Sequence, residues 1–201
     1  LYAYTGNDPV NKIDPSGMAQ CGKSLTGENC EKALDDADAA RDNAKTAAEG
    51  LKGVAGRMKD GKLTDADNAA LKVVEQRFGK NFTTEKGLGK LAKGIEGAAN
   101  KIGARGEGAV LQAGNNKKLD QPAYASPLTG TIYLNNSYFD QKHSMYREQT
   151  MVHEGAHLNG AIRDKYINKG DNPLYNDTGL FGAYSNADTY GCAVYPSVCG
   201  F

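Results

Sequence analysis

From Glu31 to Leu51, apolar side chains recur at Leu34, Ala37, Ala44, Ala48 and Leu51, with charged residues between them. That spacing gathers them on one side of a chain turning every 3.6 residues and predicts an amphipathic helix. Thr64 reads as the N-cap of a second helix. Asp65 and Asp67 follow it in the first turn, where the helix dipole favours carboxylates, and Leu71, Val74 and Phe78 are expected to face inward. A third helix, from Thr84 to about Ile102, sets Leu88, Leu91, Ile95 and Ala99 on one side, although its glycines lower the helix propensity. These stripes read as plain core. The period then changes: Thr131-Ile132-Tyr133-Leu134 is β-branched and aromatic, follows the turn signal Thr129-Gly130, and predicts a strand. A last helical stretch runs from about Ser144 to Asn159. The tail after Gly160 is rich in Gly, Asn, Asp and Tyr and reads as mostly irregular. At the other end, Leu1 to Met18 alternates briefly through aromatic residues and breaks at Asn7-Asp8-Pro9 and Asp14-Pro15-Ser16-Gly17, which are strong turn signals.

Composition narrows the field. The 201 residues suffice for one compact domain with an extra segment, or for two small ones, and for a sizeable core. The 24 basic side chains balance the 24 acidic ones, and no basic stripe favours an anionic polymer, which argues against nucleic acid as a partner. No apolar run approaches the roughly 20 residues that span a bilayer. No signal-peptide pattern opens the sequence, so if the protein leaves its cell, something other than an N-terminal signal is expected to carry it. The four cysteines form two short pairs, Cys21 with Cys30 and Cys192 with Cys199, whose intervals match neither a zinc ribbon nor a redox motif. Two short-range disulfides, bridges joining the two ends, or four reduced thiols all fit the spacing. The bridged forms suit an oxidising destination.

The chemistry concentrates in Thr150-Met151-Val152-His153-Glu154-Gly155-Ala156-His157, which contains the pattern HExxH. Two histidines four apart on a helix project from one face and can reach one metal ion. Glu154 stands beside them as a general base for a metal-activated water, with zinc lowering the pKa of that water and polarising the scissile carbonyl. Met145, Val152 and Ala156 are expected to form the apolar backing of this helix. Gly155 and Ala156 keep it slim enough for close packing behind the metal. A catalytic zinc ordinarily has three protein ligands and one open position. The remaining histidine, His143, lies ten residues before His153 and falls well off its face at about 100° per residue, so it is read as capping or packing. That leaves a carboxylate as third ligand, from among Asp164, Asp171, Asp177 and Asp188.

Two family resemblances add to this reading. The stretch LYAYTGNDPVNKIDPSGM closely resembles the end of the Rhs-repeat core, where a tyrosine-rich strand leads into an NxPVNxxDPSG-like ending. In that family the core cleaves itself just after the motif, and a variable toxin domain follows. The resemblance implies that residues 1–18 are the end of the core, with Met18 its last residue, and that Ala19 opens a toxin domain covering residues 19–201. The run TMVHEGAHLNGAIRDKY resembles the aspzincins, the deuterolysin and peptidyl-lysine metalloendopeptidase group, in which a GTxDxxYG-like segment after HExxH supplies the third zinc ligand. By that resemblance Asp164 takes the ligand role and Tyr166 steadies the oxyanion, with Tyr190 or Tyr184 as alternatives. Asn186-Ala187-Asp188-Thr189-Tyr190 is similar to a later segment of the family. Asp188 is therefore either a rival ligand or a partner that orients a zinc-bound imidazole. GTIYLNNSYF resembles the strand and loop ahead of the active helix. This chain departs from the pattern: Gly-Ala stands for Gly-Thr, one more residue precedes the aspartate, Tyr166 follows by two positions, and no glycine comes after it.

Taken together, the resemblances imply a zincin-like α+β fold, mostly helical, with a small sheet beside the active-site helix. They also imply a zinc-dependent endopeptidase toxin carried as the tail of an Rhs effector, of the kind type VI secretion delivers into a competing bacterial cell, with periplasm and cytoplasm both open as its place of action. A protein or peptide substrate, a cognate immunity protein and the Rhs shell before release are the partners implied. A non-catalytic binding module stabilised by metal and a toxin tail acting on nucleic acid are the alternatives. An intact Glu154 argues against the first, and the balanced charge against the second.

Overall fold

The alanine stripe forms a helix longer than its periodicity predicts. In the computed structural model, which describes residues 19–104, 108–114, 121–161 and 186–199, helix α1 runs over Gly27–Lys59. Ala33, Ala37, Ala40, Ala44 and Ala48 are all buried, so the stripe lets neighbouring backbones approach closely. Leu51 ends the densest part of the stripe but not the helix. Arg57, in the last turn, grips Asp67 with two hydrogen bonds of 2.8 and 2.6 Å, and the chain turns away only at Asp60-Gly61.

Helix α2 (Asp65–Phe78) starts where expected. Thr64 Oγ1 accepts from the Asp67 N–H at 3.1 Å, and the Asp67 carboxylate accepts from the Thr64 N–H at 3.0 Å, closing a capping box. Of its three expected inward residues only Phe78 is buried, 5.7 Å centroid to centroid from Phe82 in the 3-10 turn Lys80–Thr83; Leu71 and Val74 are half-buried. The reason is that α2 packs mainly on that turn and not into the core.

Helix α3 (Glu85–Ile102) is capped by Thr84, whose hydroxyl accepts from the Gly87 N–H at 3.0 Å. Leu88, Leu91, Ile95 and Ala99 are all within the core, as the period predicts. Its glycines are not weak points. A side-chain carbon at Gly94 would overlap the Tyr190 ring, and one at Gly97 would overlap the Asn159 amide. Each spends helix propensity where a neighbour must sit close.

Among the described residues four short strands form one sheet: β1 (Gln20–Cys21), β2 (Val110–Ala113), β3 (Ala123–Ser126) and β4 (Thr131–Leu134), in the order β1-β2-β4-β3. The first three in that order are mutually parallel, with Leu111 opposite Ile132, while β3 returns antiparallel to β4 through a turn closed by Gly130 at φ 66°. Only β4 stands out as a strand in the sequence. A single helical turn, α4 (Asn136–Phe139), leads to α5 (Ser144–Leu158), and α6 (Ala187–Val194) follows later in the chain. The tail expected to be mostly irregular contains this one short helix among its described residues, six of its eight residues buried; residues 162–185 of the tail lie outside the described residues. The fold class is α+β, as expected. Both cysteine pairs are local disulfides, Cys21–Cys30 and Cys192–Cys199, which resolves the pairing in favour of the short-range option. No described helix is long and apolar enough to cross a membrane. Residues 1–18, and with them the Rhs-like stretch, lie outside the described residues.

Glycines at two helix positions should respond in opposite directions. Nothing within 4 Å would meet a side chain at Gly50 of α1, so Gly50→Ala is expected to stabilise by about 0.5–1 kcal/mol. At Gly155 of α5 a new carbon would lie 2.8 Å from the Ala98 carbonyl oxygen, and overpacking of about 1–3 kcal/mol should outweigh the same propensity gain. Thermal melts of both variants check the opposite signs; a rise for both means that α5 is not seated this closely.

The capping box also predicts an acid response. The Arg57 guanidinium, then the Thr64 N–H and hydroxyl, hold the Asp67 carboxyl well below the usual carboxylate range. This contribution to stability is fully present above the unfolded value of about 4 and is lost as pH falls through the depressed folded value. Urea midpoints followed downward from about pH 5 should therefore fall less steeply in Asp67→Asn than in the wild type.

Candidate metal centre

Helix α5 is held from several directions. Toward α3, the missing side chain of Gly155 lets the helix press on the Ala98 carbonyl and Ile102. Met151, Val152 and Ala156 fill the interior. Met145, expected among that backing, is instead 45 % exposed, because the first turn carries it to the surface beside Tyr146. At the N-terminal end, buried Arg147 donates to both oxygens of Asp36 on α1, at 2.7 and 3.1 Å, and to the Gln141 carbonyl at 2.7 Å. The Tyr138 hydroxyl donates to the same Asp36 at 3.0 Å. Burial works against the Arg147 charge, but the Asp36 contact outweighs it and holds the guanidinium above its ordinary pKa. Burial first, and then the Asp36 charge, push the Tyr138 phenol well above its own.

With Gly155 facing α3, His153 and His157 leave the other side of α5, each about 200° around the helix from it. Their Nε2 atoms converge to 3.2 Å. Each ring is fixed at its far nitrogen: His153 Nδ1 lies 3.0 Å from Asp188 Oδ1 on α6, and His157 Nδ1 lies 2.8 Å from the Ala161 carbonyl oxygen. Asp188 is buried at 4 % exposure. The Ala161 carbonyl is brought back by the turn at Asn159-Gly160, where Gly160 takes φ 99° and the Ala161 N–H bonds the Ala156 carbonyl at 2.9 Å. Glu154, beside the pair in sequence, is 4 % exposed.

A carboxylate and a carbonyl accept, so both Nδ1 atoms donate; with both rings neutral, that leaves both Nε2 atoms presenting lone pairs. Two lone pairs aimed at one point repel unless a cation lies between them. Two nitrogens each bound to zinc at 2.0–2.1 Å with a tetrahedral angle stand about 3.3 Å apart. The observed separation fits that bite, and neutral imidazole is a donor zinc favours. The two histidines are therefore spaced as two ligands of one zinc ion would be. Among the described residues no group of three or more His, Cys, Asp or Glu side chains is arranged to hold a metal. Asp188 is directed to Nδ1 of His153, the far side of the ring from the convergence point. Asp164, Tyr166, Asp171, Asp177 and Tyr184 lie outside the described residues. Tyr190 packs over Gly94 on α3, and two residues of helix turn it away from Asp188. His143 occupies the N-cap position of α5 without a side-chain cap bond, its ring 6.1 Å from Tyr146.

Sequence reasoning missed the polar contacts that hold α5. Besides Arg147 and Asp36, the Tyr195 hydroxyl donates to Glu148 at 2.9 Å and accepts from Asn43 at 2.9 Å. Burial, opposed by the Asn43 bond and aided by the Glu148 carboxylate, raises the Tyr195 phenol and keeps it a donor. In the sequence these are scattered polar residues with no shared pattern. The Asn159-Gly160 pair is the one local signal, as a turn dipeptide.

No protein-family model matches the chain, and no curated protein matches it either.

If Asp188 orients His153 without binding metal itself, Asp188→Ala should weaken zinc binding by about 10–100-fold while leaving its stoichiometry intact at saturating zinc. Competition against a chromophoric chelator measures this; a variant that cannot be loaded at any zinc concentration would make Asp188 a direct ligand.

Proposed function

We propose that this chain is a zinc-dependent endopeptidase toxin with a zincin-like fold, carried as the C-terminal tail of an Rhs effector. The observation that carries the metal reading is the pair of Nε2 atoms 3.2 Å apart, each on a ring whose other nitrogen is tied to an acceptor. His153 and His157 would hold the ion, with Asp164 as third ligand by its resemblance to the aspzincin pattern. Zinc bound there supplies Lewis acidity, lowering the pKa of a coordinated water and polarising a peptide carbonyl.

The chain's own residues do the rest. Glu154, next to His153 in the sequence, is the proposed general base: its carboxylate would take the proton from the attacking water and pass it to the leaving amine. Asp188 holds the His153 ring in the tautomer that leaves Nε2 as an acceptor, and the Ala161 carbonyl does the same for His157. Tyr166 is the phenol proposed to steady the oxyanion, on the strength of the resemblance alone. A base beside a two-histidine pair favours chemistry over a purely structural metal, which has no use for one.

Delivery rests on the leader resembling the Rhs core ending, with release after Met18. A cognate immunity protein and the shell are its proposed partners, and a target bacterial cell its place of action. The balanced charge supports a protein substrate over a nucleic acid.

The deciding experiment pairs metal analysis with a protease assay. Wild type should hold about one zinc and cleave a denatured protein substrate. Glu154→Gln should keep the zinc and lose cleavage by at least about 100-fold, the scale of general-base catalysis. Asp164→Ala should lose the zinc. A wild type that takes up no zinc on reconstitution ends the metallopeptidase reading; zinc without cleavage in every arm favours the non-catalytic one.

A further inference from the structure

Helix α6 supplies the carboxylate that orients His153, yet it is only eight residues long. Three contacts set its register on α5. Asp188 meets His153 at 3.0 Å, Gly191 lets Gln149 pack against its backbone, and Tyr195, the residue that ends the helix, meets Glu148 at 2.9 Å. The last of these depends on a tight turn. Cys192, fully buried within α6, is bridged to Cys199, and the loop so closed contains Tyr195. Within that loop the Val198 N–H bonds the Tyr195 carbonyl at 3.2 Å and the Cys199 N–H bonds the Pro196 carbonyl at 3.1 Å. The sulfurs differ in access, since Cys199 is only half-buried. The other bridge, Cys21–Cys30, ties β1 to the first turns of α1 and touches none of these contacts.

We infer that the Cys192–Cys199 bridge is a redox-sensitive latch that keeps α6 docked and Asp188 on His153, so that the two-histidine site is fully formed only where the bridge stays oxidised. The latch is opened by a dithiol. One thiolate attacks Cys199 Sγ, the S–S bond breaks, and Cys192 leaves as a thiolate and takes up a proton. The second thiol of the reagent then closes on the mixed disulfide, releasing Cys199 as a thiol; the reagent is oxidised by two electrons to its own disulfide. With the closed loop gone, Tyr195 is no longer held to Glu148, and the short helix loses the anchor at its C-terminal end. The consequence is a toxin most competent in an oxidising compartment, where such bridges persist. This inference rests on the zinc reading for its functional meaning, but the latch itself can be tested without metal.

The test uses the whole chain and compares Cys192→Ser/Cys199→Ser with Cys21→Ser/Cys30→Ser. In the metal-free proteins, nitrogen-15 resonances of the imidazoles report whether His153 Nδ1 carries the bonded proton. Zinc affinity is then read by chelator competition. Loss of the Nδ1–H signature of His153, together with at least about tenfold weaker zinc binding, is expected for the first variant only, with its circular dichroism close to that of the wild type. Dithiol reduction of the folded Cys21→Ser/Cys30→Ser protein should reproduce the same change. An unchanged His153 signature after either treatment overturns the latch, and so does global unfolding, which would make the bridge a general staple. A wild type that shows the signature but binds no zinc instead removes the metal reading and leaves the latch standing.

Discussion

The close seating of α5 on α3 at Gly155 is the constraint from which the rest of the structure follows. No side chain separates that point from the Ala98 carbonyl and Ile102, and a single added carbon would lie 2.8 Å from each. Close-packed interiors transmit such a contact because they have no slack to absorb it. The contact decides which side of α5 is buried against α3, and so which side His153 and His157 occupy. It also explains a residue that looks misplaced locally, since glycine costs about 1 kcal/mol in a helix interior relative to alanine. The same logic repeats at Gly94 and Gly97 of α3, where Tyr190 and Asn159 sit over the bare backbone. The C-terminal end of α5 and the middle of α6 are thus brought onto one helix by absent side chains.

Packing alone would leave α5 free to slide along α3, and buried polar contacts fix its register. Arg147 and Asp36 are both nearly inaccessible to solvent, at 7 and 4 % exposure. Taking two such charges from water is costly, and their attraction repays the cost only when geometry is good and the remaining donors are used. Here the guanidinium reaches both carboxylate oxygens and a main-chain carbonyl, and Tyr138 adds a further donor to Asp36. One residue on, Glu148 receives Tyr195. Two adjacent residues of α5 therefore read the positions of α1 and α6, and a shift by one turn would strand both buried charges. That penalty is specific in a way apolar packing is not.

What could be read from the sequence divides along the same line. The cap at Thr64, the apolar period of α3 and strand β4 were legible, because each is a local pattern whose cause lies within a few residues. The pair His153 and His157 was legible for the same reason, since helix geometry alone brings them together. Asp188 was legible only as one of four downstream aspartates and through resemblance, and the contact that ties it to His153 spans 35 residues of chain. Asp36 and Arg147 gave no signal, because in a chain that is 24 % charged two more charges read as surface. The α3 glycines were read as weakness, because a glycine's reason lies in the neighbour that covers it. Strands β2 and β3 are no shorter than β4, but VLQA and AYAS lack its β-branched and aromatic run after a turn signal, and β1 is only two residues.

A site of this kind ties its chemistry to its folding. The two Nε2 lone pairs belong to one helix, but they are aimed by the Ala161 turn and by Asp188 of α6. With both rings neutral and no cation between them, the aimed lone pairs would oppose one another and work against the docking of α6 and the closing of the turn. A cation at that point reverses the sign, and its binding free energy then stabilises every contact that aimed the rings. On the zinc reading, metal affinity and the seating of α6 would therefore be one linked quantity. The elements that orient the histidines lie far apart in the chain, and two of their anchors, the Cys192–Cys199 bridge and the Tyr195–Glu148 bond, lie outside the site. It follows that the strength of the site is set as much by what holds α6 as by the two histidines.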